Sequence, residues 1–346
     1  MRGIFKSLGG RQSNGRLSAA RRSGHFENGV FLNSVPTHII EPGSFWRTIR
    51  HQLFGKERRS PEKPIPFVTL TKSDFEKPAN AGVNAIWIGH ASVLVEISGR
   101  YVLTDPIWSE RASPCQSVGP KRFFPPPVRI EDLPDVDAVV ISHDHYDHLD
   151  MDTVVALSKR DTRFIVPLGV GAHLEAWRVP SRNIAELNWN ESVRVRDLTI
   201  TATPARHYSG RHIVDNNRTL WASFVISSPH HRVFFSGDSG YFEGFKRIGA
   251  DHGPFDMTLM KVGACGPTWP DVHMTPEQAI VAHQDVLGML LLPVHWGTFN
   301  LAFHDWNDPA IRSLRAARSA RVRISLPKPG ATVSTNGRDH LDEWWI

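Results

Sequence analysis

The sequence predicts an α/β fold of the sandwich kind, an α+β arrangement in which two mixed β-sheets pack face to face with helices on both outer faces. Two observations predict it. Short runs rich in Val, Ile and Phe recur in two groups, each divided by Gly-containing turns. Helical stretches fall within both groups, so each sheet has helices of its own to cover one face. No internal repeat or low-complexity tract interrupts the pattern.

The first group opens at Asn84. "NAIWIGHASVLVEISGRYVLTDP" holds three β-rich runs separated by turns, as a meander would. "DAVVISH" is apolar up to its end and reads as a strand buried on both faces. "MDTVVALSKR" reads as a helix capped by Asp150 or Asp152, and "RFIVPLG" returns to strand. In the second group "LTITATPARH", "LWASFVIS", "HRVFFSGDSG" and "GMLLLPVHWGTF" are strands. Helices are expected at "TPEQAIVAHQDV", with Thr275 as cap and Pro276 in the first turn, and at "DPAIRSLRAARSA". Residues 1–80 show little periodicity and read as a basic, partly disordered extension with one short amphipathic helix at "SFWRTIRHQLFG". The folded domain is expected over residues 81–337, with a C-terminal tail over 338–346.

Composition narrows the class. Hydrophobic residues make up 40% of 346, enough for a full core at this length. Only Cys115 and Cys265 occur, which excludes a disulfide framework and makes a reducing compartment the default. There is no apolar run of transmembrane length and no apolar signal segment, so a cytoplasmic location is expected. The formal charge of +5 gathers near the N-terminus, where six Arg or Lys and no acid lie between Met1 and Arg22. Such charge leaves peripheral contact with an anionic membrane open. Nucleic-acid binding is not expected, because the charge lies in the extension and no nuclease motif accompanies it. The sequence does not fix the oligomeric state and leaves a homodimer open.

The chemistry concentrates in "VVISHDHYDHLD", residues 139–150, where a buried strand ends on six ionisable side chains. A solvated turn needs one or two. His143 and His145 alternate along the strand end and so project to one side, while the following turn can bring Asp147 and His148 to a neighbouring point. Imidazole and carboxylate are the donors that suit zinc, manganese or iron at catalytic sites. Further donors follow other apolar runs: His207 in "TATPARHY", Asp238 in "VFFSGDSG" and His295 in "LLPVHWGTF". One open-ended site would require that placement.

These stretches resemble the metallo-β-lactamase fold, and the resemblance narrows to the branch containing N-acyl-phosphatidylethanolamine-hydrolysing phospholipase D. It covers roughly residues 84–330 and rests on "GHASVLVE", "LTDPIWSERASP", "GPKRF", "DAVVISHDHYDHLD", "FFSGDSGY", "GPFD" and "HWGTF". It implies an αββα four-layer architecture and two divalent metal ions, zinc first, with iron or manganese as alternatives. His143, His145 and His207 would bind one ion, and Asp147, His148 and His295 the other, with Asp238 as the bridge. His273 would bind substrate phosphate, and Asp105 would orient a ligand imidazole, with His90 in a similar or purely structural role.

Two such cations lower the pKa of a shared water to about 7, and that hydroxide would attack phosphorus. Asp147 or Asp238 would take the proton. The expected activity is therefore a phospholipase D-like phosphodiesterase acting on N-acyl phosphatidylethanolamine or a related phosphodiester. A lactonase of a phosphorylated sugar lactone, and a non-catalytic metal-stabilised scaffold, are the rival readings. Arg206, Lys261 and Pro120–Arg122 are candidate secondary phosphate contacts.

Overall fold

The computed structural model describes residues 6–76, 82–212 and 214–346; the domain boundary expected between residues 80 and 81 lies outside them. In chain order, α1 (Asn14–Arg22) precedes a two-stranded ribbon, β1 (Phe26–Glu27) and β2 (Val30–Phe31), and then α2 (Phe45–Phe54). The first sheet takes β3 (Val83–Gly89), β4 (Ser92–Ile97), β5 (Arg100–Thr104), β6 (Ala138–Val140), β7 (Arg163–Pro167) and β8 (Ile184–Leu187). Helices α3 (Met151–Leu157) and α4 (Gly171–Ala176) lie between its later strands. The second sheet takes β9 (Ser192–Val195), β10 (Leu198–Thr203), β11 (Ser223–Ser227), β12 (Arg232–Phe235), β13 (Phe255–Lys261) and β14 (Gly288–Val294). Its crossovers carry α5 (Gly244–His252) and α6 (Pro276–Asp285). After α7 (Asp308–Ala320), β15 (Thr332–Ser334) returns to pair with β3.

The strand orders are β15-β3-β4-β5-β6-β7-β8 and β14-β13-β12-β11-β10-β9. Both sheets are mixed. Pairing is antiparallel from β3 to β5 and from β9 to β12, and parallel from β5 to β8 and from β12 to β14. Parallel strands need crossovers, and their C-terminal ends open into a shared crevice, where α/β proteins place their sites.

Side-chain alternation shows why both faces of the first sheet are apolar. Val93 and Val95 of β4, Val102 of β5, Ala138 and Val140 of β6, and Ile165 of β7 face the core shared with the second sheet. Their neighbours Leu94, Leu103, Val139, Phe164 and Val166 pack outward beneath α3 and α4 with Val154, Leu157 and Leu174. The result is helix, sheet, sheet and helix in layers, as the sequence predicts.

Local signals account for several elements. Thr275 caps α6 by accepting from Gln278 N, and the Gln278 side chain returns the bond to Thr275 N. The helices expected at residues 45–54 and 308–320 form there. Asp150 occupies the cap position of α3, but its carboxylate accepts from Ser109 and Thr153 instead of a helix N–H in the first turn. The sequence patterns do not announce α1, β1, β2, α4, β8, β9, α5, β13 or β15.

The described part of the extension packs on the domain. Phe31 is buried in the core between the sheets, and Arg16 of α1 pairs with Glu186 at 2.5 Å and Glu175 at 2.8 Å. At the other end Trp345 is buried and Trp344 stacks on Trp296, so these tryptophans belong to the core. No helix among the described residues is long and apolar enough to cross a membrane.

Candidate metal centre

Past the end of β6 the chain runs through Ser142 into His143. Asp105, just after β5 and held at φ +33°, accepts from Ser142 N and Ser142 Oγ, each at 2.6 Å. Its Oδ2 also accepts from His148 Nδ1 at 2.6 Å. His143 Nδ1 donates to Ser142 Oγ at 2.9 Å, and His207 Nδ1 donates to the Val272 carbonyl at 3.0 Å. Three imidazoles are thus fixed through Nδ1, which turns their Nε2 atoms toward one another.

Two groups of donors result. His145 Nδ1 lies 2.8 Å from His143 Nε2 and 3.4 Å from His207 Nε2. In the second group Asp147 Oδ2 lies 3.3 Å from His148 Nε2 and 3.4 Å from His295 Nε2, and accepts from His90 Nε2 at 2.9 Å. Within each of these groups the candidate ligand atoms lie within 4.8 Å of one another. Asp238 sits between them: its Oδ2 is 3.0 Å from His295 Nε2, 3.4 Å from His148 Nε2 and 3.8 Å from His207 Nε2. His273 stands nearer the solvent, with Nδ1 3.7 Å from Asp238 Oδ2.

The backbone delivers these residues through close approaches. Gly237 precedes Asp238 at φ +53°, and a Cβ there would sit 2.6 Å from Ser142 Cβ. His295 follows β14 at φ +64°, and its N–H donates to the carbonyl of His90, itself at φ +54°. Non-glycine residues rarely adopt this region, so the surroundings must enforce it.

The structure therefore brings together all eight side chains singled out in the sequence, His143, His145, Asp147, His148, His207, Asp238, His273 and His295. It also supplies a partner whose role the sequence left undecided: His90 contacts Asp147. The candidate phosphate contacts fare differently. Lys261 is fully buried, with Nζ donating to the Met274 carbonyl at 3.3 Å. Arg206 is tied to Asp271 at 2.8 Å and to Thr37 and Pro36. Lys121 pairs with Glu110, and Arg122 is buried beside Phe124 and Phe299. A strand or loop position said little about which of these cations reach solvent.

Residues 100–296 match the family described as the beta-lactamase superfamily domain. The chain belongs to the beta-lactamase superfamily. Among relatives, it is 47% identical over 334 residues to the uncharacterized protein Rv0906 of Mycobacterium tuberculosis, covering 95% of this chain and 89% of that protein. It is 36% identical over 265 residues to N-acyl-phosphatidylethanolamine-hydrolyzing phospholipase D 1 of Caenorhabditis elegans, covering 73% and 74% of the two chains. Among solved structures, the metallo hydrolase Igni18 from Ignicoccus hospitalis superposes with a TM-score of 0.56 at 20% identity, over 75% of this chain and all of that one. The chain is thus a metal-dependent hydrolase of the beta-lactamase superfamily, near the phospholipase branch.

A divalent cation fits the residues of this superfamily member. His148 Nε2, His295 Nε2, Asp238 Oδ1 and His273 Nδ1 are buried with no hydrogen-bond partner among the described residues. Such atoms carry a desolvation cost unless a ligand meets them. Burial opposes ionisation of Asp147 and Asp238, yet the imidazoles of His148 and His295 hold both carboxyls well below their ordinary range. Burial works against charge on His148 too, and Asp238, Asp147 and Asp105 outweigh it and hold that imidazole protonated. Burial pushes His207 down to about 3, so it is neutral and free to donate a lone pair. The carboxylates retain protons on neighbouring imidazoles, a role that a metal cation takes over.

Proposed function

We propose that this protein is a binuclear-metal phosphodiesterase of phospholipase D type, acting on N-acyl phosphatidylethanolamine or a related phosphodiester. The position of Asp238 carries the proposal. One carboxylate oxygen reaches imidazoles of both donor groups, at 3.0 Å from His295 and 3.8 Å from His207, as a bridge requires. The phospholipase D name of the 36%-identical relative supports the substrate class.

In this reading His143, His145 and His207 would hold one ion, and Asp147, His148 and His295 would hold the other. Two bound divalent cations, zinc or else iron or manganese, would supply Lewis-acid activation of water and neutralise a phosphodiester anion. Asp147 Oδ2 accepts a hydrogen bond from His90 Nε2, whereas Asp238 Oδ1 has no hydrogen-bond partner among the described residues, and we assign Asp238 as the acceptor of a proton from water. His273, whose buried Nδ1 faces Asp238 at 3.7 Å and has no hydrogen-bond partner among the described residues, is the side chain we assign to a phosphoryl oxygen.

The lipid half of the reading rests on α2. Trp46 is 75% exposed and Phe54 74% exposed, and Arg50 is exposed on the same helix. The segment is tied to the loop that precedes His273 through Glu41 N, which donates to Thr268 O, and Arg47, which donates to Pro267 O. An apolar and basic helix anchored to that loop suits contact with an anionic bilayer.

The deciding experiment measures metal content and then compares bis-p-nitrophenyl phosphate, N-acyl phosphatidylethanolamine in vesicles and a phosphorylated sugar lactone. The proposal expects two metals per chain and cleavage of the phospholipid to phosphatidic acid and N-acylethanolamine. Faster turnover of the lactone, or none of any substrate by metal-replete protein, would overturn it.

A further inference from the structure

We infer that residues Ser7–Gln12 and Asn33 form a strap that positions the His143–His145–His207 half of the metal centre. This rests on the metal-hydrolase reading above. Three separate contacts carry it.

The first runs through Arg211, a buried residue whose guanidinium lies 4.1 Å above the Tyr146 ring. Its Nη1 donates to the Asp144 carbonyl at 2.6 Å and to the Leu149 carbonyl at 2.9 Å, gripping both ends of the loop that carries His145. The remaining donors, Nε and Nη2, both end on the Ser7 carbonyl at 3.0 and 2.7 Å. A buried guanidinium needs its acceptors, and removing one partner leaves an uncompensated charge. The strap thus completes the clamp on the loop.

The second contact runs through His173. Gly10 N donates to His173 Nδ1 at 3.1 Å, which leaves Nε2 to donate to Asp144 Oδ2 at 3.3 Å. Asp144 also accepts from Thr219 Oγ1 and Gly210 N, so its position between His143 and His145 is fixed from three sides. Gly9 lies against the same ring at φ +89°, where a Cβ would be 2.0 Å from His173 Nδ1. Only glycine lets the strap lie on that imidazole.

The third contact is the most direct. Asn33 brackets His207, accepting from its N–H at 3.0 Å and donating to its carbonyl at 2.8 Å. The His148 and His295 half is held instead by Asp105, His90 and Thr298. The loop gripped by Arg211 also carries Asp147 and His148, so the one-sided contacts are those of Gly9 and Gly10 with His173 and of Asn33 with His207, and Gly9 and Asn33 are positioning residues.

The test challenges the zinc-loaded full chain with the chromogenic chelator 4-(2-pyridylazo)resorcinol and counts equivalents released. Asn33→Ala and Gly9→Ala are compared with wild type and with Arg129→Ala, an exposed control. Each strap variant is expected to release one equivalent at about 10- to 100-fold lower chelator, the range for residues that orient a metal ligand, while the second stays at the wild-type concentration. A general loss of stability would weaken both equivalents alike. Equal weakening of both, or wild-type retention of both in the Asn33→Ala protein, overturns the inference. A wild-type chain that binds no zinc overturns the underlying reading as well.

Discussion

Asp105 Oδ2 lies 2.6 Å from His148 Nδ1, and both side chains are fully buried. The same carboxylate anchors Ser142 through its N–H and hydroxyl, so a single residue orients two neighbours of the site. Asp105→Ala leaves three buried donors unsatisfied, at a cost of about 3–5 kcal/mol. Metal affinity is expected to fall about 10- to 100-fold. Denaturant unfolding of the metal-free proteins and metal retention measure the two effects, and Asp105→Asn, which keeps the shape and one strong acceptor, is expected to fall between.

Gly237→Ala acts on Asp238 without touching it. The new Cβ would meet Ser142 Cβ at 2.6 Å and the Ala222 carbonyl at 2.9 Å, at a φ of +53°. The left-handed backbone alone costs about 1–2 kcal/mol, and the overlap forces the turn to move. We expect a folded protein with reduced metal content and at least tenfold lower hydrolysis. Metal analysis after gel filtration checks it.

A pH prediction follows from His283, which lies away from the metal centre. Burial pushes its imidazole down to about 4, and Nδ1 bonds Thr258 Oγ1 at 2.7 Å. In the folded chain this group stays neutral where the unfolded chain, titrating near 6.5, takes up a proton. Its contribution is therefore intact above pH 6.5 and is lost as pH falls from 6.5 towards 4. The whole window is worth at most about 3 kcal/mol. His283→Gln is expected to flatten the pH dependence of urea unfolding between those limits, and an unchanged slope would contradict it.

Removing metal is expected to abolish hydrolysis, with zinc, manganese or ferrous ion restoring it to different degrees. The same treatment lowers stability, because a ligand at 1,000 times its Kd stabilises the fold by about 4 kcal/mol. Thermal unfolding with and without chelator, repeated over a range of free metal, measures both.

The exposed face of α2 gives a prediction that separates lipid contact from chemistry. Replacing Trp46 and Phe54 by alanine is expected to raise KM for vesicle-borne phospholipid at least tenfold. Turnover of soluble bis-p-nitrophenyl phosphate stays the same. Equal effects on both substrates would assign these residues to the fold instead.

Much of the site is legible because each donor follows an apolar run: His143 beyond β6, His207 beyond β10, Asp238 beyond β12 and His295 at the end of β14. Strand periodicity and donor chemistry are both local properties, so a reader of the sequence meets them together. Arg211 and Asn33 are silent for the opposite reason. They act through hydrogen bonds to backbone atoms of distant residues, and no residue pattern marks a carbonyl as an acceptor. Lys261 misleads as a cation at a strand end, since its exposure depends on what α6 and the 263–274 loop lay over it. Helix α5 is not legible in the sequence because its two glycines dilute the helical signal.

The hydrogen bond from His295 N to the His90 carbonyl joins the end of β14 in the second sheet to the turn after β3 in the first. Its partners come from distant stretches of sequence, as do Val333 of β15 and Ala85 of β3. Such high contact order makes refolding slow, because long loops must close before these pairings repay the entropy. An unfolded chain offers neighbouring donors only within His143–His148, too few to organise the remainder. Added zinc should then raise the final yield of refolded protein while leaving the initial rate of strand assembly unchanged.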